Sequence, residues 1–488
     1  MQTVEFGKYF AMATLTLLLP LNATAQAPAP LPQDSPYAGA AGQANGGQTN
    51  TSSAVEPAPQ GSSPVSPIVG AKEFGLGSTG ESQSYFIPSF QYTGYADTNP
   101  GFTGSGEKRI LQSTYVGSIT LQKVTRETQF NLNYAGGAEF YNRLLTPTPT
   151  SGGSSYGTFH QLGLGESVNW RRWQLFLGDE GSYLPESPGG FTGFGGLQSF
   201  NAGLGGSALS TGGSMNGLLQ PSQSILGAFA RRLSNTSISQ LQYAATARTT
   251  FAVTGAYGVL NFLDSGFTDD EYFSLLASGT HAFSPGNSVS VTYLHTLIHF
   301  HSPHQDILDR GLILSYGHKI LGRLAFETSA GYLLDQFAIP TGGSVTQGFI
   351  TTYDSLQYRW RRSDFRASFN RNITDGSGIL RGAETDLLEG SVGRQFFRTT
   401  YLSLDFGHAY NQSLSQAMAN RRAKAETWEG GIHLSRELGS HLSFYIQYNV
   451  QRQTANASLC TPSGCGVTFF RQTGGIGMNW HTRPMRLP

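Results

Sequence analysis

The chain of 488 residues carries 31 basic and 31 acidic side chains, and charged residues make up only 13% of it, about half the ~25% usual in globular domains. No charge excess points to nucleic acid or a polyanionic partner. No apolar run reaches the ~18 residues of a membrane helix, so a membrane span would have to be a closed β-barrel, the other way of satisfying backbone groups in lipid.

The N-terminus reads as a secretory signal. Lys8 precedes an apolar run from Phe10 to Leu21, and Ala23-Thr24-Ala25 supplies the small-x-small cleavage pattern, so residues 1–25 are expected to be removed and the mature chain to begin at Gln26. Residues 26–80 are rich in Ala, Pro, Gln, Gly and Ser. Such a segment buries too little apolar surface to offset its ordering entropy and is expected to be a disordered periplasmic tail. Ile68 to Phe74 is its one candidate anchoring element.

From residue 81 to residue 482, short segments of alternating apolar and polar residues recur. In the clearest, Leu442, Phe444, Ile446, Tyr448 and Val450 alternate with Ser443, Tyr445, Gln447 and Asn449, the period of two that sends side chains to opposite faces of a strand. Eighteen such strands are predicted, with sixteen as the lower count. They centre near residues 88, 116, 133, 162, 177, 241, 255, 277, 294, 314, 329, 353, 368, 389, 404, 431, 446 and 475. Their connections alternate in length. Thr125-Arg126-Glu127, Trp170-Arg171-Arg172, Ser284 to Asn287, Arg361-Arg362-Ser363 and Leu438-Gly439-Ser440 are short. Asn99 to Glu107, Leu144 to Ser155, Pro303 to Arg310, Ala338 to Gln347 and Asn411 to Ala425 are long. A soluble sandwich has no reason to keep that parity, whereas a transmembrane barrel has tight turns at one rim and long loops at the other. The predicted fold is an all-β, closed antiparallel transmembrane barrel.

The alternation assigns faces. Phe130, Leu132 and Tyr134 oppose Asn131 and Asn133; Phe365, Ala367 and Phe369 oppose Arg366, Ser368 and Asn370; Leu402, Leu404 and Phe406 oppose Ser403 and Asp405. The apolar sets are expected to face lipid and the polar sets a wet lumen. The pore-lining candidates are Glu139, Arg366, Asn370, Asp405, Tyr445, Gln447 and Arg471, whose mixed charges set no ion preference. The longest connection, 184–236, has no charged residue from Ser187 to Ala230. Folded inward it would constrict the pore with Phe191, Phe194 and Phe200; left outside it is an external loop, and the sequence favours neither. Pro221 suits the first turn of a short helix from Gln220 to Leu233, on which Ile225, Phe229 and Leu233 share a face.

Several clusters bear on chemistry. His295, His299 and His301 share one strand face, followed by His304, Asp306 and Asp309; imidazole and carboxylate groups can ligate a transition metal, but polar residues at a barrel rim account for the pattern more simply, and no metal is assigned. Asp269-Asp270-Glu271 reads the same way, as an exposed acidic loop rather than a cation site. Cys460 and Cys465 bracket Thr-Pro-Ser-Gly, and export permits a disulfide that staples a loop tip. Arginines mark nearly every short turn: Arg126, Arg171, Arg172, Arg248, Arg323, Arg361, Arg362, Arg398 and Arg436. They suit lipid headgroups and solvated turns equally. No Ser/His/Asp set gathers on one face, so no enzyme activity and no cofactor are expected.

The final strand, Thr473-Gly474-Gly475-Ile476-Gly477-Met478-Asn479-Trp480, resembles the C-terminal signature of outer-membrane barrel proteins: a polar residue, a glycine two on, then Met478 and Trp480 spaced by one. The tail 483–488 departs from it, because typical members end on the aromatic. Across the barrel the chain resembles porin-like outer-membrane proteins of Gram-negative bacteria, of acidobacterial type. The opening Phe90-Gln91-Tyr92-Thr93-Gly94-Tyr95-Ala96-Asp97-Thr98-Asn99-Pro100 resembles porins linked to exopolysaccharide export. The resemblance implies residence in outer-membrane lipid, recognition by the barrel-insertion machinery and assembly as a homotrimer. It implies passive diffusion of small polar or neutral solutes, with a component of polysaccharide export or envelope assembly as the alternative.

Overall fold

A computed structural model describes residues 84–99, 110–142, 156–184, 231–264, 267–284, 286–301, 304–320, 323–338, 343–376, 379–414, 423–456 and 468–487. The signal and tail (1–80), Phe191, Phe194, Phe200, Cys460 and Cys465 lie outside the described residues, as does the candidate helix up to its last residues. Of that helix, only the end is described, and it is extended: Arg232 already opens a strand.

Eighteen antiparallel strands close into one barrel. In chain order the first six are β1 (Tyr85–Asp97), β2 (Ile110–Val124), β3 (Thr128–Asn142), β4 (Tyr156–Asn169), β5 (Trp173–Leu184) and β6 (Arg232–Ala244). Next come β7 (Thr249–Phe262), β8 (Asp270–Ser284), β9 (Asn287–His301), β10 (His304–Ile320), β11 (Leu324–Ala338) and β12 (Ser344–Trp360). The last six long strands are β13 (Ser363–Thr374), β14 (Ala383–Gln395), β15 (Thr400–Ser413), β16 (Lys424–Glu437), β17 (Leu442–Ala455) and β18 (Phe469–His481). Every strand centre read from the sequence falls inside one of these.

The parity of connections holds with one correction. Pro303 to Arg310 is no long loop: His304 to Arg310 belongs to β10, and β9 and β10 pair up to His301 opposite His304. The apolar residues Ile307 and Leu308 continue the strand pattern, so only two residues separate the paired strands. At the other end, the turn between β12 and β13 is two residues, Arg361 and Arg362, with Trp360 opposite Ser363. Arg361 sits in the left-handed region at φ 51°, as the first position of a tight hairpin of favourable twist requires.

β18 closes the barrel on β1, from Thr473 opposite Asp97 to His481 opposite Ser89. The C-terminal tail is part of this seam. After a break at 482–484, β19 (Met485–Arg486) pairs with Phe86 and Tyr85 of β1. The residues that depart from the terminal-strand signature therefore continue along the first strand.

Faces follow the alternation. Phe90, Tyr115, Phe140, Val291, Leu312, Leu314, Ile350, Leu404, Ile432, Ile446 and Ile476 stand exposed on the outer wall. Gln91, Thr93, Asp97, Gln112, Thr114, Glu139, Asn449 and Gln451 are buried on the inner one. Trp170, Trp173, Trp360 and Trp480 ring the short-turn end, with Trp173 packed on Tyr243 at 4.5 Å between ring centres. All nine turn arginines lie at that same end and are exposed.

Candidate functional site: the inner face of the barrel

The seven pore-lining candidates all project to the inner face, and Glu139, Tyr445, Gln447 and Arg471 are buried there. They belong to a polar arc built from β13 to β18 and β1 to β4. Arg471 donates from Nε to both carboxylate oxygens of Asp97 at 3.0 Å and from its terminal nitrogen to the same carboxylate. Its other nitrogen donates to Gln451 Oε1 at 3.3 Å. Asn449 donates to Glu429 at 2.7 Å, Gln112 to Glu139 at 3.0 Å, and Gln91 to the Tyr445 hydroxyl at 2.6 Å. All but the neutral Gln91–Tyr445 bond, which spans β18, are charge-assisted hydrogen bonds between neighbouring strands, the form in which buried charge is stable. Arg366 and Asn370 face inward on β13, Asp405 on β15.

The opposite arc corrects the expectation of a polar lumen. On β8 to β12 the inward positions include Leu276, Leu294, Ile298, Phe300, Ile307, Ile313, Leu333, Phe337 and Phe349, which form one buried apolar cluster. Their outward neighbours Phe273, Leu275, Tyr293, Leu297, Leu312, Leu314, Tyr332 and Leu334 are apolar too. With both faces apolar these strands lose the alternation that marks a wet side.

At one connection, described apart from residues 377 and 378, the chain reaches across the interior. Residues 375–382 join β13 to β14 at the long-loop end. They close on themselves through bonds from Leu380 N and Ile379 N to Gly376 O at 3.0 and 3.2 Å, and from Gly382 N to Asp375 O at 3.1 Å. Gly376 and Gly382 take φ +81° and +76°, values open to glycine without strain. A Cβ on Gly382 would lie 2.2 Å from Ile307 Cδ1. Ile307 sits on β10, four strands from β14, which is about 19 Å along the wall at the spacing of hydrogen-bonded strands. The contact is made across the inside. Asp375 reaches farther, close enough to Arg232 on β6 and to Asp270 and Tyr272 on β8 to act on them electrostatically.

The inner face is acidic. Among the described residues Asp97, Glu139, Asp270, Asp309, Asp335, Asp375, Glu389 and Glu429 are buried carboxyls, against Arg471 as the guanidinium buried to the same degree, with Arg232 and Arg366 also turned inward. The seven candidates read from the sequence miss this, because Asp309 falls in a stretch read as a long loop, Asp270 in one read as an exposed acidic run, and Asp335 is not among them. Asp309 stands directly opposite Asp335 on neighbouring strands. The run Asp269-Asp270-Glu271 does not converge: Asp269 accepts from Phe262 N at 2.7 Å, Asp270 turns inward and Glu271 outward.

No protein-family model and no curated protein matches this chain. Among solved structures it is similar to OpdK of Pseudomonas aeruginosa in complex with vanillate, at TM-score 0.41 and 9% identity over 82% of this chain and 98% of that one. It is similar to OccK2 (OpdF) of the same organism at TM-score 0.42 and 11% identity, over 83% and 98%. For OccAB3 of Acinetobacter baumannii the TM-score is 0.40 at 10% identity, over 82% and 99%.

Proposed function

We propose that this protein is a porin-like channel of the Gram-negative outer membrane, passing small solutes by passive diffusion and favouring cationic and neutral ones over anions. The observation that carries the reading is the acid excess of the inner face, with Asp375 held across the interior by the 375–382 connection.

The outer wall supports the membrane setting. Large apolar side chains are exposed on every side of the barrel, an area that would drive association in water and that matches the lipid-facing band of an outer-membrane barrel. The tryptophans and arginines at the short-turn rim suit an interface of aromatic rings and headgroups. Inside, an excess of acidic groups attracts cations and repels anions. The apolar arc facing the polar one gives an organic solute a surface for its hydrocarbon part while the acids meet its polar or cationic part.

The test is reversal potential and single-channel conductance of the refolded mature protein in planar bilayers under a KCl gradient. Cation selectivity is expected, reduced in Asp375→Asn. Removal of residues 376–381 with a short Gly-Ser replacement is expected to raise conductance. A folded barrel that conducts in neither form would overturn passive diffusion and leave the export role; anion selectivity would overturn the assignment of charge.

A further inference from the structure

We infer that the outward face at the tip of the β9–β10 hairpin is a binding site for a transition-metal dication such as Zn²⁺, with Glu271, His299 and His301 as ligands. The three come from two adjacent strands. Glu271 on β8 is the cross-strand partner of His299 on β9, and His301 lies two residues farther along the same face. Directly opposed residues on neighbouring strands bring their Cβ atoms to about 5 Å. The potential ligand atoms of all three lie within 4.8 Å of one another, the separation at which one ion can bridge them.

The surrounding residues orient these ligands. Asp306, opposite His299 on β10, lies 2.5 Å from His299 Nδ1; with Nδ1 as the donor, Nε2 is the nitrogen that would ligate an ion. The Tyr257 hydroxyl donates to Glu271 Oε2 at 2.7 Å and leaves Oε1 for an ion. A carboxylate behind a ligating imidazole, and a hydrogen bond holding a ligating carboxylate, are the usual outer shell of a metal site. The His304 ring stacks on His299 with 5.8 Å between centroids, beside the ligand group rather than in it. Two imidazoles and one carboxylate favour Zn²⁺, Ni²⁺ or Cu²⁺ over Ca²⁺ and Mg²⁺, which take oxygen donors.

The grouping differs from the one the sequence offered. His295 shares the outward face but is outside the group, Asp309 points inward, and Glu271 joins from a strand whose contact with His299 depends on register. Bound there, an ion would tie β8 to the β9–β10 hairpin at the long-loop rim. The site stands apart from the pore, so its test reads out whether or not the barrel conducts.

The experiment is equilibrium dialysis of the untagged, folded full-length mature barrel in detergent against Zn²⁺, with metal content measured per chain and folding checked by heat-modifiable gel migration. One saturable Zn²⁺ is expected, undisturbed by excess Mg²⁺ or Ca²⁺. His299→Ala and His301→Ala should each weaken it by tenfold or more, and Asp306→Asn, which removes no ligand, by at least severalfold. His295→Ala should bind as the parent does. No saturable binding by the folded parent, or full affinity in folded His299→Ala, overturns the assignment. If His299→Ala fails to fold, Glu271→Gln and His301→Ala at the exposed rim carry the same test, and undiminished affinity in both overturns it.

Discussion

Arg471 reaches from the last strand to Asp97 on the first, and both side chains are almost wholly shut off from solvent, at 1% and 0% exposure. Breaking such a pair by removing one partner leaves an uncompensated buried charge and costs about 3–5 kcal/mol. Arg471→Met or Asp97→Asn alone should therefore lower the urea midpoint of the folded barrel strongly. The double variant should lose clearly less than the sum, because it leaves no orphan charge. Gly382 is the second informative residue. Alanine there would be strained at φ +76° and would collide with Ile307, so Gly382→Ala should cost on the order of 1–3 kcal/mol. Its single-channel conductance should rise as 375–382 gives way. A glycine before Ala383 is legible as punctuation in the sequence, but its packing partner on β10 is not, because nothing local records which strand lies across the interior.

At the scale of the element, the outer wall of β10 separates membrane from water. Leu314, in the middle of the strand, and Leu438, in a short turn, are equally exposed at 58%. In a lipid-embedded barrel Leu314→Arg should cost about 2–4 kcal/mol near the bilayer midplane, while Leu438→Arg should stay within about 0.5 kcal/mol, as for an ordinary surface change. Equal small effects in lipid-refolded protein would argue that β10 faces water. The β9–β10 hairpin also marks where element reading from sequence stops. The strands themselves are legible around residues 294 and 314, but the residues after Pro303 read as a loop, because His, Gln and Asp around Ile307 and Leu308 resemble polar turn chemistry. Pairing with β9 overrides that composition: a polar residue on an outward rim position costs little, and each added cross-strand pair satisfies backbone groups.

For the whole molecule, the exported form is expected to begin at Gln26, and intact-mass measurement of protein from an outer-membrane fraction checks it. A chain retaining residues 1–25 would sink that expectation. The number of strands, their antiparallel order and the sidedness of most of them were set by the sequence alone, because a period of two is local and each strand repeats it independently. The same holds for the inward positions of Glu139, Asp405, Tyr445 and Arg471, which follow from their apolar neighbours. What only the tertiary structure decided are matters of residues distant in sequence. The apolar inner arc of β8 to β12 hid behind strands apolar on both faces. The crossing of Asp375 toward Arg232 depends on loop packing. The meeting of Glu271 with His299 depends on the register between two strands, and the pairing of the C-terminal tail with β1 depends on closure. Alternation fixes which way a side chain points; register, closure and loop contacts fix what it meets there.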